Sequence, residues 1–375
     1  MRILAFVPSY HDTSPGQRFR MEQWEPLLRG QGVEIDFESF ESEELHSLLY
    51  KSGNYSRKIA LIARAFARRA LALRSVRNYD AVYVFREAAL LGPAVFERWI
   101  HAAGVPMVFD FDDAIFVRYI SPSNGYLSYL KFPAKTRAIC RLATHVMAGN
   151  RYLADYARKV NPNVTIVPTT IDTEKYTVET EGPQSDMPVI GWSGSHSTVQ
   201  HLDTLRGALE RLAAQERFRL RVIGTASYEL EGVEVEAIPW RSETEVADLR
   251  PIHIGVMPLP DEDWSRGKCG LKALQYMALG IPTVCSPVGV NSEIVRDGEN
   301  GFIAATEDEW VEKLSRLLRE VQLREDLGRA GRVTVEETYS ASVQAPRVYN
   351  ILKSLTRDAG KSGERIKGVR SLPSR

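Results

Sequence analysis

The chain has 375 residues, 44% hydrophobic and 26% charged, with 48 Lys and Arg balanced by 48 Asp and Glu. Ordinary globular composition and zero net charge exclude a collagenous or disordered chain and speak against a nucleic-acid partner. The length suits two domains, because a single core stops growing at about 250–300 residues. No stretch approaches the ~18 uncharged apolar residues of a membrane span, and the opening run Ile3–Val7 is too short for a signal peptide.

Charge is unevenly spread. Residues 1–170 hold 22 Lys and Arg against 16 Asp and Glu, residues 171–356 hold 20 against 30, and residues 357–375 hold 6 against 2. A basic first half and an acidic second half suit different partners, or an uneven solvated surface. Cys140, Cys269 and Cys285 form neither a metal-ligand spacing nor an even framework, which predicts a reducing, cytosolic compartment.

In chain order, Ile3–Val7 reads as a buried parallel strand ended by Pro8, and Phe19–Gly30 as a helix. Val33–Phe37, Ala81–Phe85, Pro106–Phe111, His145–Ala148 and Thr165–Val167 follow as strands with helices between them, so the first half predicts a parallel βαβ sheet. Residues 54–79 carry seven Lys and Arg and no acid, with Ile59, Ile62, Phe66 and Leu73 at helical spacing. This basic amphipathic helix suits an anionic membrane surface, with Tyr126, Tyr129, Lys131, Lys135 and Arg137 as a second patch, or packs on the domain with its arginines solvated.

The strand-end loops of this half carry candidate ligand groups. Gly16, Arg18 and Arg20 follow the first strand, where guanidinium forks suit a phosphate or, alternatively, nearby carboxylates. Arg86 and Glu87 end another strand. Asp112 and Asp113 end the next, as candidates to hydrogen-bond substrate hydroxyls or act as a general base. Metal binding, or acids favoured at a helix start, are the alternatives for that pair.

Residues 171–188 are polar with Gly and Pro and read as a linker. A second alternation follows, with strands at Val189–Trp192, Arg219–Ile223, His253–Met257 and Thr283–Cys285. Helices are expected at Leu202–Ala214, Leu271–Leu279, Glu293–Arg296, Glu307–Val321 and Ser340–Leu355. The tail 357–375 reads as disordered. The expected fold class is α/β, with two Rossmann-like doubly wound domains facing a central cleft. The first covers 1–170, with helix 340–355 packing back on it, and the second covers 189–339.

Three loops of the second half suit an anion. In Gly191–Thr198, Gly194 permits close backbone approach, while Ser195 and Thr198 add hydroxyl donors. Lys268, with Arg266 beside it, precedes a helix start and can neutralise a diphosphate leaving group. Gln275 on that helix can hydrogen-bond a ribose. Gly289, Val290, Asn291 and Glu293 form a third loop. Each has a structural alternative: a tight turn, a solvating lysine, a helix-surface amide, a helix-start charge. No G-x-G-x-x-G follows the first strand, which argues against a dinucleotide enzyme.

The run Gly270–Val284, followed by Gly289 and by Glu293–Gly301, resembles family 4 glycosyltransferases of the GT-B fold, and Val167–Asp172 looks like that family's interdomain crossover. The resemblance implies transfer of a sugar from a nucleotide donor to a saccharide or lipid-linked saccharide, with retention, and with no metal or other cofactor. The leading expectation is a cytosolic enzyme of cell-surface glycan synthesis, placed at the inner face of the membrane if the basic helix 54–79 rests on lipid and not on its own domain. The chain departs from the family twice. Gly267 and Gln275 stand where many members carry two glutamates, and the loop Gly194–Thr198 lacks the arginine and lysine that many members place on the diphosphate. A non-catalytic nucleotide-sugar-binding subunit and a sugar-nucleotide epimerase are the alternative readings.

Overall fold

The computed structural model describes residues 1–49, 51, 53–118, 132–179, 187–195 and 198–367, with side chains to residue 356. Tyr126, Tyr129 and Lys131 of the expected basic patch, and the end of the basic tail, lie outside the described residues. The chain forms two units, Met1–Val167 with Gln344–Arg375, and Pro168–Val343.

The first unit is built on a parallel sheet of β1 (Arg2–Val7), β2 (Glu34–Ser39), β3 (Ala81–Phe85), β4 (Met107–Phe111), β5 (His145–Ala148) and β6 (Val164–Ile166), in the order β2-β1-β3-β4-β5-β6. Strands β3 and β4 are buried at every position, which is why they read as apolar runs without alternation, broken in β4 only by the buried Asp110. The order reverses between β1 and β3, so the loops after these two strands diverge and leave a crevice at their C-terminal ends.

The second unit repeats the plan with β7 (Val189–Ser193), β8 (Arg219–Ile223), β9 (Glu234–Ile238), β10 (Ile254–Met257), β11 (Thr283–Cys285) and β12 (Phe302–Ile303), in the order β12-β11-β10-β7-β8-β9. Its reversal falls between β7 and β10. Ile190, Trp192, Leu202, Leu209, Leu220 and Val256 belong to its core. The helix Glu307–Arg319 covers one face, with Trp310, Val311, Leu314 and Leu317 turned inward. Thr306 and Glu309 close a reciprocal capping box at its start.

Several expectations change. Phe19–Gly30 is not one helix: a wide π-helical turn over Arg18–Glu22 gives way to a short helix Glu25–Arg29, where Pro26 is confined to the first turn because it has no N–H to donate. The sequence reading omits β9 and β12, and the helix Val321–Thr334 that follows Glu307–Arg319. The chain passes between units at Val167 and Pro168, and the first part of the expected linker belongs to the second unit, where Ile171 and Tyr176 are buried. The last helix, Ala341–Lys367, buries Ala345, Val348, Leu352 and Leu355, and the first unit takes it up from Gln344.

The basic helix spans Tyr55–Ala72, but its buried face is Lys58, Leu61, Ala65 and Arg69. Ile59, expected on the apolar face, is 67% exposed. Lys58 and Arg69 are turned inward onto backbone carbonyls, and Arg57 and Arg68 pair with Glu44 and Glu38. The exposed positive charge is therefore thinner than the residue count suggests.

Candidate functional site

At the crevice of the first unit, Gln17 holds the loop after β1 by exchanging hydrogen bonds with the Ser9 backbone, each at 3.1 Å. This brings Gly16 beneath Arg86 and Asp112. A Cβ at Gly16 would stand 2.5 Å from Arg86 Nη2 and 2.6 Å from Asp112 Oδ2, so only glycine permits the approach. Arg86 itself sits at φ 57°, unusual for a side-chain-bearing residue, with its N–H donating to Asp110 O at 2.7 Å. Its Nε donates to Asp112 Oδ1 and its Nη2 to Asp113 Oδ2, both at 2.7 Å. Burial acts against its charge, but the two carboxylates more than offset that and raise its pKa. Glu87 pairs with Lys135 at 2.6 Å.

The sequence reading is corrected here in three respects. Arg20 does not face a ligand. It is fully buried, forks onto Asp110 through Nε and Nη2, and donates through Nη1 to Val167 O at 2.7 Å. Tyr83 donates to the same carboxylate at 2.5 Å, so Arg20 neutralises a buried acid. Arg18 is buried on Asp12, with Nε 2.6 Å from Oδ1. Asp112 and Asp113 head no helix, and both are held by Arg86, which suits them to positioning a hydroxyl more than to removing its proton.

In the second unit, the reversal between β7 and β10 brings together two of the three predicted loops. After β7, Gly194 N donates to Ile223 O at 2.8 Å, and Gly224, at φ 118°, lets the Gly194 carbonyl come close. Thr198 Oγ1 accepts from Ser195 N at 2.9 Å, so part of the expected anion-binding set is committed within the turn. The helix that follows, Val199–Asp203, has only five residues, and Asn291–Ile294 has four. Helices this short sum few peptide dipoles, so neither start supplies the field expected from the sequence.

After β10, the chain leads through Asp263–Arg266 to Lys268 and the helix Leu271–Ala278. Gly270, at φ 71°, opens this helix with its Cα against Ile294, and Gly289, at φ 58°, lies against the Arg266 backbone. The Lys268 loop and the Gly289–Glu293 loop are thereby in contact. Lys268 Nζ lies 5.0 Å from the Trp264 ring centroid, and Lys272 Nζ 5.5 Å from that of Trp192. Arg266 is turned to Asp261, at 2.7 Å, and Asp263, at 3.5 Å. Gln275 is corrected as a ribose ligand: it is buried and donates to Tyr176 Oη at 2.9 Å, while Tyr176 donates to Glu245 at 2.8 Å. Asn291 is fully buried, with Nδ2 on Ser286 O at 3.1 Å and Oδ1 without a hydrogen-bond partner. Val290 is also buried, and Glu293 is exposed.

Sequence reasoning missed His201 and Lys272. His201 is only 4% exposed, and among the described residues neither ring nitrogen has a hydrogen-bond partner. Burial, then Lys272 and Lys268, hold its pKa down at about 4. The signal for Lys272 was its place in the first turn of the helix that follows the Lys268 loop. Nothing in the sequence distinguishes His201 from a surface histidine. A cavity of about 670 Å³ opens at the other end of β10 and β11, beside His253 and Pro282. Its Arg332 and Arg324 are bound to backbone carbonyls and its Arg250 to Glu179, which sets it apart from the strand C-termini.

Residues 187–320 match the family model for glycosyl transferases group 1. No curated protein sequence matches the chain. Among solved structures, the chain is similar to sucrose-phosphate synthase of Thermosynechococcus elongatus (TM-score 0.70, 14% identity, covering 96% of this chain and 100% of that one). It is similar to HepE of Anabaena, solved with UDP and glucose (TM-score 0.68, 14% identity, 94% and 100%). It is also similar to a glycosyltransferase of Rickettsia africae (TM-score 0.67, 15% identity, 94% and 98%). At these identities the likeness is one of fold. The chain thus has the GT-B fold, and its likeness to group 1 glycosyl transferases in sequence falls within the second unit.

Proposed function

We propose that this chain transfers a sugar from a nucleotide-sugar donor to a saccharide or lipid-linked saccharide, with retention and without a metal. The observation that carries the reading is the Lys268 loop. It stands at the reversal of the second sheet, inside the matched segment, with Lys268 and Lys272 beside the start of the helix Leu271–Ala278. Two ammonium groups and a helix start suit the charge that grows on a departing diphosphate. HepE, of the same fold, has been solved with UDP-glucose, which supports this donor class.

The acceptor belongs to the first unit in this reading. Arg86, Asp112 and Asp113 at its crevice offer a mixed-charge grip for hydroxyls. Because Arg86 already pairs with both acids and offsets one of their two charges, they are poor candidates for a metal. For an anionic membrane surface the first unit offers exposed Ile59, Leu71 and Trp99 and exposed Arg64 and Arg74. No helix among the described residues is long and apolar enough to cross a membrane.

The test is thermal stabilisation by a panel of UDP-, GDP-, ADP- and CDP-sugars, then transfer assays with the stabilising donor, with and without a chelator. Stabilisation by one sugar nucleotide, and a product of the donor's anomeric configuration, are expected. Loss of turnover in the chelator would overturn metal independence, and inversion would overturn retention. A second reading, a binding subunit without turnover, draws on Gly267 and on the commitment of Gln275 to Tyr176. Stabilisation without transfer or slow donor hydrolysis would favour it.

A further inference from the structure

We propose that His201 is a ligand-binding residue of the second unit, its imidazole donating a hydrogen bond to the diphosphate of the nucleotide-sugar donor beside Lys268 and Lys272. The inference rests on the donor reading above and adds a residue to it.

A neutral imidazole always carries one N–H donor and one lone pair. Buried polar groups in folded proteins nearly always find partners, yet His201 is 4% exposed and both its nitrogens lack one among the described residues. Lys272 and Lys268 are the charges that act on the ring, and both are positive. Burial first, and then these two charges, keep the ring neutral in the free protein, and the positive surroundings favour an anion as the missing partner. The neighbouring loop explains the need for such a donor. Gly194–Thr198 carries no arginine or lysine among its described residues, and its Thr198 hydroxyl is committed to Ser195. A histidine in the first turn of the following helix, with two lysines from the loop and helix after β10, adds to the donors of a loop that has no lysine or arginine.

The experiment uses the full chain with ¹⁵N-labelled histidine and follows the ring nitrogens by NMR at pH 7.5, with H201Q identifying the His201 signals. UDP, GDP, ADP, CDP, inorganic pyrophosphate and uridine are titrated in turn. The His201 signals are expected to move with one nucleoside diphosphate and with pyrophosphate, and to stay in place with uridine. In calorimetry H201F should bind that nucleoside diphosphate about ten-fold more weakly, with part of the loss recovered in H201Q, whose amide can still donate. If the wild type binds a nucleoside diphosphate while the His201 signals stay unmoved, or H201F binds it equally well, the assignment of His201 is overturned and the donor reading stands. A wild type that binds none of the four overturns both.

Discussion

Arg86 donates to Asp112 at 2.7 Å through a gap that exists because residue 16 is glycine: the two side chains fill the space a Cβ there would take. Gly16→Ala should therefore act on the ion pair and not on the core. The displaced atoms are the tips of flexible side chains, so stability should change by less than about 1 kcal/mol. Transfer should fall at least about ten-fold, through a raised KM for the acceptor. Denaturation midpoints and acceptor-dependent kinetics check this, and an unaltered acceptor KM would remove the trio from the acceptor site.

Arg20 carries the opposite expectation. Arg20→Met leaves Asp110 buried without its counter-ion and should cost about 3–5 kcal/mol in urea unfolding. Burial already pushes the Asp110 carboxyl up against the pull of Arg20, so the loss should shrink as pH falls and the lone acid takes a proton. The double variant with Asp110→Asn should recover much of it.

Lys268→Ala should lower kcat by about 10²-fold with little change in donor KM, if the ammonium acts mainly on charge that develops as the diphosphate leaves. Steady-state kinetics with the preferred donor decide this. A rise in KM at constant kcat would reduce Lys268 to ground-state binding.

Restoring the glutamate common in the family should not help. Gln275→Glu would place a second carboxyl on the buried Tyr176 hydroxyl that already donates to Glu245. A cost of about 1–3 kcal/mol is expected. It should grow as pH rises and the new acid is forced to ionise, and unfolding curves at pH 5 and pH 8 would show the trend.

His201 should make the chain acid-sensitive. Its folded-state pKa of about 4 lies below the unfolded value near 6.5, so the unfolded chain binds the proton first. Stability from this group is complete above pH 6.5 and is lost as pH falls toward 4, by about 3 kcal/mol in all. Stability measured across pH for the wild type and H201F gives this term as the difference between the two curves, and parallel curves would refute it.

Most of the two sheets could be read from the sequence because their strands are buried on both faces and stand out as apolar runs. The edges of the second sheet could not. Strand β9 alternates glutamates with apolar residues, and β12 has two residues. The loops were legible as loops, with their glycines and Lys268, because strand–turn–helix order is local. What each charged side chain touches is not local. Arg20 meets Asp110 across 90 positions and Gln275 meets Tyr176 across 99, so residue type alone could not separate a structural arginine or glutamine from a ligand-binding one. His201 was overlooked for the same reason, since its burial depends on strands and loops remote in the chain.

The double crossing at Val167–Pro168 and Val343–Gln344 bears on the order of synthesis. On the ribosome the first unit emerges early and lacks its last helix until the whole of the second unit has been made. The second unit is continuous and can close as soon as Val343 leaves the exit tunnel. The unit begun first is thus the one finished last, and a nascent chain passes through a stage in which the surface meant for Val348, Leu352 and Leu355 is bare. A chaperone that shields apolar surface has its natural window there, and a stop codon just after residue 343 would leave that window permanently open.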